Sequence, residues 1–145
     1  MTDTPILRHA ETDADLKACF AVMQQLRPHL KSVEEFVARV AVQRAQGYRL
    51  LGVWENGKPV ALAGYRRIDN LIHDRFVYVD DLITDEAGRG KGHGERLLAE
   101  IGALGRADGC QRLVLDTALA NALAQRFYFR CGLLARGLHF SMDLA

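Results

Sequence analysis

Cysteine is scarce and odd in number: Cys19, Cys110 and Cys131 are the three in the chain. They have no close pairing and no metal-type spacing, which speaks against a disulfide scaffold and a structural metal site. They read as reduced, packed thiols of a cytoplasmic protein. Proline is equally rare, three in 145 residues. No Pro/Ser linker, repeat or low-complexity tract divides the chain, so residues 1–145 read as one domain with room for a real core. An excess of either charge is missing too, since 19 Lys+Arg against 18 Asp+Glu leave a net +1. That gives no global pull toward nucleic acid or an anionic membrane, and any anion binding must be local. No apolar run approaches membrane-spanning length, and the opening "MTDTPILRHAETD" lacks the pattern of a signal peptide. A 49% hydrophobic, 26% charged composition speaks against disorder.

Glycine, by contrast, is concentrated. In "GRGKGHGERL" Gly88, Gly90, Gly92 and Gly94 alternate with Arg89, Lys91 and His93, and a helical pattern starts at once behind them. The rest of the chain sets the context. "PILRHA" reads as a short strand. Thr12-Asp13 starts a helix with Leu16, Phe20, Met23 and Leu26 on one face, ended by Pro28. Ser32 and Glu35 form a capping box for a second helix stopped at Gly47. Two apolar runs, Tyr48 to Trp54 and Lys58 to Arg66, flank Asn56-Gly57, a strong hairpin signal. A polar stretch through Asp74 leads to the strand "RFVYVDDLIT". After the glycine loop come a helix carrying Leu97, Leu98, Ile101 and Leu104, the strand "RLVLD", a helix from about Leu119 to Arg130, and a last strand in "LARGLHFSMDL". The order is β-α-α-β-β-β-α-β-α-β. It predicts an α/β protein with a mixed sheet: an antiparallel hairpin first, a parallel βαβ crossover later.

Three phosphate-binding patterns compete for the loop. A Walker loop fails, because Gly92 follows Lys91 where Ser or Thr is needed. A dinucleotide fingerprint fails, because Glu95 stands where its last glycine would be. Arg-x-x-Gly-x-Gly is met in full by Arg89, Gly92 and Gly94. Glycines let backbone N–H groups approach a ligand closely, and a helix N-terminus favours an anion. Read alone, the loop either cradles a group such as pyrophosphate or is a solvated basic turn.

With "VDDLITDEAGRGKGHGERLL" around it, the loop resembles the acetyl-CoA-binding motif of the GCN5-related N-acetyltransferases (GNAT). "NALAQRFYFRCGL" resembles that family's closing motif, and the element order matches from about Ile6 to Leu144. The resemblance implies the acyl-CoA N-acyltransferase fold, acetyl-CoA as cosubstrate and no metal. It implies that backbone groups of Leu82, Ile83 and Thr84 pair with the pantetheine arm. The loop of Arg89, Gly90, Lys91, Gly92, His93 and Gly94 would hold the pyrophosphate, with His93 either meeting phosphate or pointing to solvent. Asn121 would hold the cofactor or a water. Tyr128 would protonate the departing thiolate; without the resemblance it reads as an aromatic anchoring the last helix, where Phe127, Leu123 and Leu119 read as core.

An attacking amine must lose a proton, and Asp80 and Asp81 are the best-placed carboxylates. Strand alternation sends them to opposite faces unless a bulge disturbs the phase. They read equally as partners for a cationic substrate or a nearby Arg. Asp116, His73 and His139 are further candidates for the acceptor pocket, and Arg66, Arg67 and Arg75 read as a solvated face. The implied activity is transfer of an acetyl group from acetyl-CoA to a primary amine of a small molecule by direct attack in a ternary complex. The alternatives are a non-catalytic acyl-CoA-binding module, or an acetyltransferase acting on a protein, a peptide or charged tRNA. No nucleic-acid or membrane partner is expected. The family is often dimeric, and "LHFSMDL" could pair with a second copy in a homodimer.

Overall fold

The computed structural model describes residues 4–145. Its elements run β1 (Ile6–His9), α1 (Asp13–Leu26), α2 (Val33–Arg44), β2 (Arg49–Glu55), β3 (Lys58–Asn70), β4 (Asp74–Thr84), a 3-10 turn (Glu86–Gly88), α3 (His93–Ala107), β5 (Arg112–Leu115) and α4 (Ala122–Arg130). The chain divides into two compact units, one running to Val114 and one from Leu115 to Ala145.

The sheet order is β1-β2-β3-β4-β5. β1 to β4 pair antiparallel in sequence. β4, α3 and β5 then form a crossover between neighbouring strands. The N–H of Gln111 donates to the Arg75 carbonyl at 2.7 Å, which starts β5 beside the start of β4. β5 is four residues long and β4 eleven, so the far end of β4 runs on past it. The β2–β3 turn is the expected one: Asn56 and Gly57 have φ of 54° and 76°, the left-handed pair such a hairpin needs.

Local chemistry starts the helices where the sequence indicates. Thr12 and Asp15 form a reciprocal capping box for α1. Ser32 Oγ accepts from the Glu35 N–H, while the Glu35 carboxylate accepts from the N–H of Lys31 rather than of Ser32. Leu16, Cys19 and Met23 of α1 join Phe36 and Val40 of α2 against Tyr48, just before β2, and Leu50, Trp54 and Leu62 of the sheet. α3 buries Leu97 and Ile101. It comes so near β4 that a Cβ on Gly105 would lie 2.8 Å from Val77 Cγ2.

Three expectations need correction. β3 extends to Asn70, through residues whose polarity reads as loop, because the β3–β4 ladder continues to the Asn70–Asp74 pair. Residues 133–145 form no strand. Alternation supplies the pattern of a strand, but the ladder partner must satisfy its backbone, and no described strand pairs with this segment. Leu134, Leu138, Phe140, Met142 and Leu144 are exposed as a result. Leu119 and Leu123, read as core, are also exposed, at 85% and 78%.

Candidate active site

The site begins at a break in the β3–β4 ladder. Gly64 pairs with Asp81 and Tyr65 with Val79, so Asp80 is the extra residue of a bulge. A bulge rotates the strand and resets side-chain direction. Both carboxylates thereby enter one cluster, since the charges of both act on Tyr48 and on Arg66.

Asp81 is held from two elements. Arg27, at the C-terminal end of α1, donates through Nε to Asp81 Oδ1 at 2.9 Å and through Nη2 to the Asp80 carbonyl at 2.8 Å. Tyr48 Oη donates to Asp81 Oδ2 at 2.7 Å. Burial first, and then the Asp81 carboxylate, push the Tyr48 phenol well above its ordinary pKa. Its ring lies over Gly64, where an added methyl would run into the Tyr48 hydroxyl. Asp80 accepts a two-pronged bond from Arg66, Nε to Oδ2 at 2.9 Å and Nη2 to Oδ1 at 2.8 Å. All four carboxylate oxygens therefore already accept a hydrogen bond. Arg66 is part of this cluster rather than of a solvated face, and its guanidinium also lies 5.5 Å from the Tyr78 ring. Arg67 pairs with Asp108, and Arg75 with Asp69.

Leu82, Ile83 and Thr84 continue β4 beyond the bulge, paired on one edge with Ala63, Leu62 and Ala61. Asp85 N–H donates to the Val60 carbonyl at 2.8 Å. Gln25 of α1 grips the next turn, donating to Asp85 Oδ1 at 2.6 Å and accepting from the Glu86 N–H at 3.2 Å. The chain then reaches the glycine loop. Gly90 and Gly92 adopt φ of 82° and 78°, and nothing lies within 4 Å of where their Cβ atoms would be. The glycines thus leave open space above a left-handed backbone.

Side chains of Thr12, Ser32 and Asn121 cap α1, α2 and α4, whereas Gly92 gives α3 no side-chain cap. Arg96 N–H is bonded to Gly92 O; the amides before it have no carbonyl within the helix to meet. Uncapped N–H groups, the helix dipole, and the exposed cations Arg89 and Lys91 fit the pyrophosphate of an acyl-CoA. His93 does not point to solvent. It is 7% exposed, its Cδ2 edge faces Gly88, and its Nε2 is buried without a partner among the described residues.

The second unit carries the remaining candidates. Asn121 Oδ1 accepts from the Ala124 N–H at 3.1 Å and caps α4. Tyr128, half-buried on that helix, packs edge-on against Phe127 with ring centres 5.5 Å apart. Burial, then the nearby Cys131, raises its phenol pKa. His139 Nδ1 lies 3.5 Å from Asp116 Oδ2, so these two candidates meet each other. His73 sits apart, edge-on to Phe76 at the β3–β4 turn. Among the described residues no group of three or more His, Cys, Asp or Glu is placed to hold a metal ion, and no helix is long and apolar enough to cross a membrane.

Arg27, Tyr48, Gly64 and Gln25 escape the sequence reading. Arg27 and Tyr48 reach Asp81 across 54 and 33 residues. Nothing in local spacing marks them beyond Pro28 ending α1.

A bulged strand leading through an uncapped, glycine-lined helix mouth in a mixed sheet defines an acyl-CoA-dependent transferase. The sequence model of the acetyltransferase (GNAT) family matches residues 11–133. The chain belongs to that family and is an acetyl-CoA-dependent N-acetyltransferase. It is 28% identical over 110 residues to an uncharacterized N-acetyltransferase of Bacillus subtilis, covering 75% of this chain and 77% of that one. It is also 28% identical over 67 residues to glucosamine 6-phosphate N-acetyltransferase 1 of Dictyostelium discoideum, covering 46% of this chain and 41% of that protein. Its fold matches the aminoglycoside N-acetyltransferase AAC(6')-Iy, solved in complex with CoA, with a TM-score of 0.81 at 16% identity over 99% of this chain and 98% of that one.

Proposed function

We propose that the chain transfers the acetyl group of acetyl-CoA to the primary amine of a small molecule by direct attack in a ternary complex. The observation that carries this is the mouth of α3: open glycines at positive φ, no side-chain cap and two exposed cations, all within the GNAT match. Arg89, Gly90, Lys91, Gly92, His93 and Gly94 hold the pyrophosphate. Leu82, Ile83 and Thr84 pair by their backbone with the pantetheine arm, for which the length of β4 beyond β5 leaves an edge. When bound, acetyl-CoA supplies the acetyl group and a thiolate leaving group. A backbone N–H at the end of β4 stabilises the oxyanion that forms on attack.

Tyr128 donates its phenolic proton to the departing sulfur; the upward shift of its pKa supports a phenol still protonated at neutral and mildly alkaline pH. Asn121 caps the helix that carries it through Oδ1, leaving its amide N–H groups for cofactor or water. Asp80 and Asp81 receive the amine's proton, directly or relayed by water, since each of their oxygens accepts one hydrogen bond and keeps a lone pair for another. One relative that acts on a phosphorylated amino sugar and a structural neighbour that acts on aminoglycosides support a small amine acceptor.

The same reading takes residues 1–145 as one domain, since the family match crosses the boundary after Val114. It places the protein in the cytoplasm, as a homodimer through its exposed apolar tail. The test of mechanism is Tyr128→Phe. Turnover, followed as thiol release, falls by roughly 10²–10⁴ with acetyl-CoA affinity unchanged. Unchanged turnover removes Tyr128 from the reaction, and absence of turnover in the wild type with every amine favours a binding module.

A further inference from the structure

The charges around the bulge are not equally presented. Arg27 is 40% exposed by its side chain and its partner Asp81 12%; Arg66 is 28% exposed and its partner Asp80 19%. In both pairs the cation is the outer member. The carboxylates are also committed, Asp81 to Arg27 and Tyr48 and Asp80 to both forks of Arg66. A cationic acceptor would meet carboxylates whose charge an arginine already offsets. An anion meets guanidinium edges first, and a guanidinium already aligned by a carboxylate loses little freedom on binding it.

Arg27 is well sited for this. It bridges Asp81 and the Asp80 carbonyl, one residue before the stretch assigned above to the cofactor arm. We propose that the acceptor is an amine that also carries an anionic group, a carboxylate or a phosphate, and that Arg27, with Arg66 beside it, selects it. This rests on the small-amine reading above and narrows it. It disfavours polyamines and other purely cationic amines, although the net charge of the chain expresses no such preference.

The test is a matched acceptor panel with acetyl-CoA and thiol release as the readout. One arm compares glucosamine 6-phosphate with glucosamine, another compares amino acids with their amides, and a third uses spermidine. The inference predicts that at least one anionic member exceeds its neutral match in kcat/KM by about tenfold or more, as a charge-assisted hydrogen bond allows. The arm in which this occurs identifies phosphate or carboxylate. Arg27→Gln should collapse that ratio toward one, mainly through KM, whereas Arg27→Lys should keep part of it. Melting curves verify that both variants are folded, and Arg66→Gln repeats the test should Arg27→Gln unfold. Equal or better turnover of neutral or cationic amines overturns this inference and leaves the small-amine reading standing. No thiol release in any arm overturns both.

Discussion

Gly64→Ala is the smallest change that strikes the site's support. Tyr48 is 3% exposed, and its hydroxyl stands where the new methyl would go, with Cζ and Cε2 close behind. β3 shifts at the bulge and the ring tilts, releasing Asp81. Overpacking costs about 1–3 kcal/mol, and a lost hydrogen bond to a charged group about 1.5–3 kcal/mol. Removing glycine from a strand returns about 0.5–1 kcal/mol. The net expectation is a loss of about 3 kcal/mol. At roughly 4 °C per kcal/mol for a chain of this size, the melting midpoint falls by about 12 °C. Denaturant titration of a double-mutant cycle isolates the cause. Leucine at position 48 lacks the outer edge of the phenol, so on a Tyr48→Leu background the alanine at position 64 should cost less than about 0.5 kcal/mol. Additive losses would refute the claim that Gly64 exists to admit the Tyr48 ring.

Two further outcomes follow from buried polar atoms. The Tyr48 phenol has a folded pKa well above its ordinary 10.0, so between those values the native state holds a proton that the unfolded state releases. That stabilisation is complete below pH 10 and is lost as pH rises above it. Stability measured through the alkaline range should therefore fall less steeply in Tyr48→Phe than in the wild type; equal slopes would argue against the buried phenol. His93 Nε2 lies buried without a partner among the described residues, a burden of about 1–3 kcal/mol. His93→Leu should raise the melting midpoint of the free protein and weaken acetyl-CoA binding in titration calorimetry. A lower midpoint with intact affinity would contradict this account of the ring.

Much of this architecture is legible in the sequence because it is written locally. Thr12-Asp13, Asn56-Gly57, and the apolar run of "RFVYVDDLIT" each fix an element through neighbours a few residues apart. The glycine loop is legible for the same reason. Its function depends on backbone conformation, and only glycine serves the positive φ of Gly90 and Gly92. The bulge is not legible, because it is a property of two strands together: Asp80 becomes the unpaired residue only once Gly64 and Tyr65 take Asp81 and Val79.

The arginines around it are hidden in the same way. Arg66 reads as one of several surface cations until β3 and β4 align, and Arg27 reads as a helix end. The tail shows the opposite failure. The alternation of "LHFSMDL" is a strand pattern, but a strand also requires an edge to pair with, which no local pattern provides.

The central claim is that the glycine-lined mouth of α3 binds an acyl-CoA. Thermal unfolding with saturating acetyl-CoA or CoA, beside NADH, tests it most directly. At a hundred times its dissociation constant a ligand adds about 2.7 kcal/mol of stability. That is a rise of roughly 10 °C at the same conversion as above, expected with acetyl-CoA and CoA but not with NADH. An unmoved midpoint with all three would mean that the loop is only a basic turn, and a rise with NADH alone would assign it to a different cofactor.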